Sequence, residues 1–162
     1  GTAVKDFKLG DLIYMRAAHG SHQALDESAC SLLPSTITDL KSACWAGLAK
    51  TAFRAAWAGA FAAGQHVLII GAGPVGQMTV RWAATANVET LAVADISAFR
   101  LKHAVRGGAT FTIEKDITKS RSEVLTINGG TGPEVVVDTT GNAQVFKHAL
   151  GAATQYGKVI LL

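Results

Sequence analysis

The stretch from His66 to Asp95, HVLIIGAGPVGQMTVRWAATANVETLAVAD, holds the residues best placed for chemistry. An apolar run leads into three glycines, then a helical pattern, then a second apolar run ending in an acid. This order suits a nucleotide cradle, and each residue type has a role in it. Gly71 makes a tight turn after the first strand. Gly73 has no side chain, so a pyrophosphate can approach the backbone. Gly76 lets the following helix pack closely on the strand. Pro74 falls at the first helical position, where its missing N–H costs little. With Val75 it opens a helix whose free N–H groups and dipole favour an anion. Asp95 follows Gly76 by 19 positions, where a carboxylate can accept hydrogen bonds from both hydroxyls of an adenosine ribose. The same charge would repel a 2′-phosphate, so NAD is expected over NADP. Ile96 beside it belongs to the same expected contact. Arg100 could reach a phosphate, lie over the adenine or sit on the surface. An S-adenosylmethionine-dependent methyltransferase also uses a glycine loop followed by an acid, but Pro74 at a pyrophosphate-binding helix start fits a dinucleotide better.

These residues need a sheet to hold them. From His66 onward apolar runs alternate with helical patterns. Strands are expected at Val67–Ile70, Thr90–Ala94, Thr110–Ile113, Glu134–Asp138 and Lys158–Leu162. Helices are expected at 74–86, from a Ser97 cap to Arg106, at 116–127 and at 142–152. Such alternation implies an α/β, Rossmann-type doubly wound parallel sheet, in the order 3-2-1-4-5, with its ligand at the carboxyl ends of the strands. Before it, a helix capped by Thr38 is expected to run from Asp39 to about Ala58, with Gly59 and Gly64 loosening its exit. Earlier still, Leu12–Arg16 and Ser21–Leu25 read as short strands separated by turns. Two short strands do not stand alone, so this part reads as a short β-containing remnant. The expected domains are residues 1–37, a remnant and linker, and 38–162, the nucleotide-binding domain.

Composition narrows the classes. The chain has 162 residues, 49% of them hydrophobic and 17% charged, which suits one domain with a real core. The net charge is +3, without a basic run, giving nucleic-acid binding little support. The apolar stretch from Ala43 to Gly64 carries Lys50 and Arg54 in its middle, where a membrane would penalise charge, so it reads as a soluble helix. Cys30 and Cys44 form no CxxC pair and read as reduced thiols of a cytoplasmic protein. His19, His22 and Cys30 could be imagined around zinc, but their spacing matches no compact ligand set. His66, His103 and His148 read as ordinary surface residues. Trp45, Trp57 and Trp82 read as core or interface anchors.

AAGQHVLIIGAGPVGQMTVRWAA, VAD, RLKHAVRGGAT, GPEVVVDTTGN and GKVILL, taken in order from about Leu33 to Leu162, resemble the medium-chain dehydrogenase/reductase superfamily. The closer resemblance is to its zinc-dependent alcohol, polyol and threonine dehydrogenase branch. GDLIYMRAAHGSHQALDESACSLLP resembles the last strands of that family's GroES-like catalytic domain. The resemblance implies a domain that binds NAD, with Gly71, Gly73, Pro74, Val75 and Gly76 on the pyrophosphate and Asp95 on the ribose. It implies that Thr139, Thr140 and Gly141, in DTTG after the fourth strand, lie beside the nicotinamide half, with Thr51 also near. The parent reaction would be hydride transfer between a secondary alcohol or polyol and NAD. Zinc is expected in the full-length parent but not in this chain, which lacks the four-cysteine run and whose position equivalent to a late zinc ligand falls at about Gly47. A truncated cofactor domain, inactive alone and able to form a homo-oligomer, is the resulting expectation. The alternatives are a zinc-independent, NADP-using quinone oxidoreductase-like reductase and a non-catalytic NAD-binding module.

Overall fold

The computed structural model describes residues 4–162, so the first three residues of the expected remnant lie outside the described residues. By packing the chain divides into two compact units, one ending at Ala46 and the other spanning Gly47–Leu162. The first contains a two-stranded antiparallel ladder, β1 (Ile13–Met15) with β2 (Cys30–Leu32). β1 falls where a strand was expected. The strand expected at Ser21–Leu25 does not form, and Cys30–Leu32 takes its place. The reason is local: the Asp26 side chain accepts the Ser28 N–H at 2.9 Å and caps a short 3-10 turn, which launches the chain into β2.

The expected long helix is two. α1 (Leu40–Ala43) is capped not by Thr38 but by Asp39, whose side chain accepts the Lys41 N–H. At Cys44 and Trp45 the N–H groups bond three residues back, to Lys41 and Ser42, and the helix is interrupted. α2 (Ala46–Gly59) follows. Its left-handed exit residue is Ala60, with φ 51°. Gly59 serves packing instead, because a Cβ there would meet the Phe61 ring at 2.7 Å and Val135 at 3.1 Å.

The second unit is built on β3 (His66–Ile70), α3 (Pro74–Thr85), β4 (Thr90–Ala94), α4 (Ala98–Arg106), β5 (Phe111–Ile113), α5 (Arg121–Leu125), β6 (Val135–Asp138), α6 (Ala143–Ala152) and β7 (Lys158–Leu161). The five strands form a parallel sheet in the order β5-β4-β3-β6-β7, which is the expected 3-2-1-4-5 arrangement. Alternating residues of one strand go to opposite cores, since both faces are covered. Val67 and Ile69 pack with Ala55, Val80, Ala83 and Leu101. Leu68 and Ile70 pack with Ile117, Val124, Val136 and Ala149. Trp82 ties α3 to α2: its Nε1 donates to Ala49 O at 2.9 Å and its ring lies 5.0 Å from Phe53. Trp57, by contrast, is 79% exposed.

The helix expected over 116–127 is also interrupted. Asp116 caps a 3-10 turn at Ile117–Lys119, α5 follows, and the segment ends where Asn128 and Gly129 adopt left-handed backbone, φ 57° and 62°. Among the described residues no helix is long and apolar enough to cross a membrane.

Candidate functional site

The parallel register places the carboxyl ends of β3, β4 and β6 side by side, with Ile70 beside Ala94 on one flank and Asp138 on the other. A cleft of about 400 Å³ opens there, lined by Gly71, Gly73, Asp95, Ile96, Arg100, Thr139 and Thr140 among others. Seven of the twelve expected contact residues therefore share one cavity. Pro74, Val75 and Gly76 begin α3 at its edge without lining it. Gly141, with φ 67°, follows Thr140 and faces open space. Thr51 is not brought to this cleft; it sits on α2, where its hydroxyl donates to Gly47 O at 3.2 Å.

The three glycines of the loop have three different surroundings. Gly71 adopts φ +92°, and a Cβ there would meet Thr139 Oγ1 at 2.8 Å. A Cβ on Gly76 would come within 1.9 Å of Gly71 O, so the helix can pass the turn only without a side chain. Gly73 has nothing within 4 Å of its missing Cβ. That open space is where a ligand can meet the backbone. Gly73 is also the N-cap of α3, has no side chain to cap it and is followed by Pro74. The N–H groups of Val75 and Gly76 have no partner within the helix, which leaves free donors at its positive end, an arrangement that favours anions.

Asp95 is only 9% exposed, and its carboxylate orders the loop from the next strand. Oδ2 accepts the Ala72 N–H at 2.7 Å and Oδ1 accepts the Ser97 N–H at 2.8 Å. Each carboxylate oxygen keeps a second acceptor site. The Arg100 guanidinium, 56% exposed, lies 3.8 Å from Oδ2. Thr139 fastens the other wall: its hydroxyl lies 3.0 Å from Ile70 O and 2.9 Å from Gly71 O. Asp138, 2% exposed, accepts both the backbone N–H and the hydroxyl of Thr140, at 2.8 and 2.7 Å.

Several residues that matter here carried no signal of their own in the sequence. Gln77 donates to Ala72 O at 3.0 Å and to Arg100 O at 2.9 Å, clipping the loop to α4. Lys115 and Asp116 line the cleft from the segment after β5, and Asn142 from the cap of α6, in the segment after β6. The rule that ligands meet the carboxyl ends of strands could have pointed to them. Asp116 is held below the ordinary carboxylate range, first by the Thr118 backbone N–H.

Glu123 is lowered from its ordinary value of 4.5 to about 2, chiefly by its hydrogen bond with the Lys115 ammonium and then by the Ser122 hydroxyl. A depressed folded-state value means that this contact stabilises fully above the unfolded value. Its contribution disappears as pH falls from about 4.5 to about 2. Carbon-detected NMR titration is expected to find the Glu123 carboxyl still ionised at pH 3 in the native chain, and to find its midpoint raised in Lys115→Met. An unchanged midpoint in that variant would remove Lys115 as the cause.

Among the described residues the histidines and cysteines form no comparable centre. His22 Nδ1 meets Ser21 Oγ at 3.1 Å, and Cys30 Sγ faces Asp26 O at 3.7 Å. His66 Nδ1 meets Thr90 Oγ1 at 2.8 Å, and His103 meets the Phe99 ring edge-to-face at a centroid distance of 4.8 Å. Among the described residues no group of three or more His, Cys, Asp or Glu is arranged to hold a metal ion.

Residues 74–162 match the model of the zinc-binding dehydrogenases. L-threonine 3-dehydrogenase of Pyrococcus furiosus is 35% identical over 103 residues, covering 62% of this chain and 29% of its own. Sorbitol dehydrogenase of Bacillus subtilis is 32% identical over 99 residues, covering 61% and 28%. A solved structure from Sinorhizobium meliloti 1021, ascribed to the zinc-binding dehydrogenases and bound to NADP, aligns with a TM-score of 0.70 at 25% identity. That alignment covers 83% of this chain and 40% of the other. The matched part of this chain thus spans less than a third of the length of these two sequence relatives.

Proposed function

The chain belongs to the zinc-binding dehydrogenase family, and on that premise we propose that its cleft binds NAD as the cofactor domain of an alcohol or polyol dehydrogenase. The observation that carries this reading is the pairing of an open Gly73 at the start of α3 with a buried Asp95 across the same cleft. The N–H groups of Val75 and Gly76 would hold the pyrophosphate. The free acceptor sites of Asp95 would take the ribose hydroxyls. Thr140 and Gly141, beyond β6, would face the nicotinamide half, while Thr139 holds the glycine turn against β6. When bound, a nicotinamide dinucleotide supplies the hydride chemistry, and the protein binds and orients it. In a full-length dehydrogenase of this kind the hydride partner would be a secondary alcohol or polyol.

The described residues do not make up a zinc site. By itself the chain is expected to bind the dinucleotide and to give no alcohol-dependent reduction of NAD. A cytoplasmic setting, with Cys30 and Cys44 as free thiols, belongs to the same reading. So does self-association along the edge strand β7, which pairs only with β6 among the described residues.

Calorimetric titration with NADH, NADPH and S-adenosylmethionine tests the reading. Saturable binding of NADH, weaker binding of NADPH and none of S-adenosylmethionine are expected. A folded sample that ignores NADH, or that binds S-adenosylmethionine tightly, would overturn it. One observation favours a second reading. Arg100 is exposed at the cleft beside Asp95 and could pair with a 2′-phosphate, as an NADP-using reductase would require. A preference for NADPH that Arg100→Ala abolishes would select it.

A further inference from the structure

Arg100 is not the only cation at the ribose side of the cleft. Lys115, just past the end of β5, lines the same cavity together with Asp95, Arg100 and Asp116. Its side chain is 61% exposed, so the cavity wall does not immobilise it. What holds it is Glu123 on α5, whose carboxylate pairs directly with the Lys115 ammonium. Glu123 is itself steadied by the Ser122 hydroxyl, which donates to its other oxygen at 2.8 Å.

We propose that Glu123 is a specificity residue for the dinucleotide: by holding the Lys115 ammonium it withholds a cation from the ribose end of the cleft and so disfavours a 2′-phosphate. This rests on the reading of the cleft as a dinucleotide site.

The physical argument concerns competition between two anions for one cation. A lysine ammonium is a compact charge on a flexible stem, with three donors that can be re-aimed within the stem's reach. A 2′-phosphate carries a charge of roughly −1.5 to −2 and three acceptor oxygens. Left free, Lys115 would be drawn to such a group. Paired with Glu123, it offers the cleft little net charge. Arg100 then faces Asp95, and Asp116 stands in the weaker field of Lys119. NAD has no group at the 2′ position that needs Lys115. The pairing therefore acts on the difference between the two cofactors more than on the affinity for either.

The test is the ratio of NADPH to NADH affinity, measured by calorimetry on the native chain, Glu123→Gln, Lys115→Met and the double variant. Glu123→Gln keeps the shape of the side chain and removes the competing charge. It is expected to raise the ratio about five-fold, the size typical of a good exposed ion pair. The rise should shrink as salt increases. Lys115→Met alone should leave the ratio within about two-fold of native, because Lys115 is already committed to Glu123. In the double variant the ratio should return to that of Lys115→Met. An unchanged ratio in Glu123→Gln would overturn the inference. So would a rise that persists without Lys115, or a several-fold fall in Lys115→Met alone. A native chain that binds neither cofactor would instead remove the dinucleotide reading itself, a different result from NADH binding with an unshifted ratio.

Discussion

Replacing Gly76 with alanine is expected to abolish dinucleotide binding and to destabilise the fold by about 3 kcal/mol or more. The new methyl group would sit 1.9 Å from Gly71 O, well inside any contact distance, and the atom it meets is backbone. A flexible neighbour could swing away; a peptide carbonyl at the end of a buried strand cannot. Ile70 is almost wholly buried, and Thr139 holds the Gly71 carbonyl from the other side at 2.9 Å. Either α3 lifts from β3, exposing Val80 and Ala83, or the glycine turn opens and scatters the N–H groups at the helix start. Urea unfolding and NADH titration of Gly76→Ala check both parts. A variant with native stability and native affinity would refute the close approach. Gly73→Ala is the matched control, since the space around its missing Cβ is open. It should fold normally and lose affinity only if a ligand occupies that space.

The second large effect is expected at Asp95. In Asp95→Ala the N–H groups of Ala72 and Ser97 lose their shared acceptor. The Ala72 donor is left buried and unpaired, at a cost of about 1–3 kcal/mol, while the partly buried Ser97 donor costs less, so a loss of about 2 kcal/mol is expected. Arg100 would also lose its anionic neighbour and be left facing the cleft. NADH affinity should fall at least ten-fold, and NADPH affinity should fall less or rise. Asp95→Asn separates the contributions. It preserves volume and one acceptor oxygen but sets an NH₂ group against one of the two N–H donors, so intermediate stability is expected. If NADH and NADPH affinities fall equally in both variants, Asp95 is a structural clamp for the loop and does not read the ribose.

The parallel sheet was legible because its strands are apolar on both faces and short. Val67–Ile70 and Val135–Val137 have no polar side to turn outward, and such runs require cover from both sides. The glycine turn was legible because Gly71 and Gly76 answer to local backbone constraints. Less legible was everything that depends on weak or competing local signals. Cys30–Leu32 is too short for its alternation to mark it, and the strand forms because β1 offers it a ladder. The long helix expected from Asp39 shows an unbroken apolar pattern, yet the backbone turns at Cys44 and Trp45. After β5, Asp116 and Ser120 compete with the helix through their side chains, and Asn128 then leaves it by adopting φ 57°. Asp95 was legible as an acid just past the second strand, but its bonds to Ala72 and Ser97 were not.

By itself, then, the sequence determined the strand–helix alternation, the sheet order and the turn at Gly71–Gly76, because these follow from hydrophobic period and local backbone sterics. The tertiary structure alone decided which side chains beyond the motif face the cleft. Lys115 and Asn142 lie at separate strand ends, and Gln77 reaches the loop and α4 from one turn inside α3. Their meeting depends on the parallel register of β3, β4, β5 and β6, which brings residues far apart in the chain to one edge of the sheet. No spacing along the chain encodes that distance, and so neither the pairing of Lys115 with Glu123 nor its place beside Asp95 could be read before the fold was known.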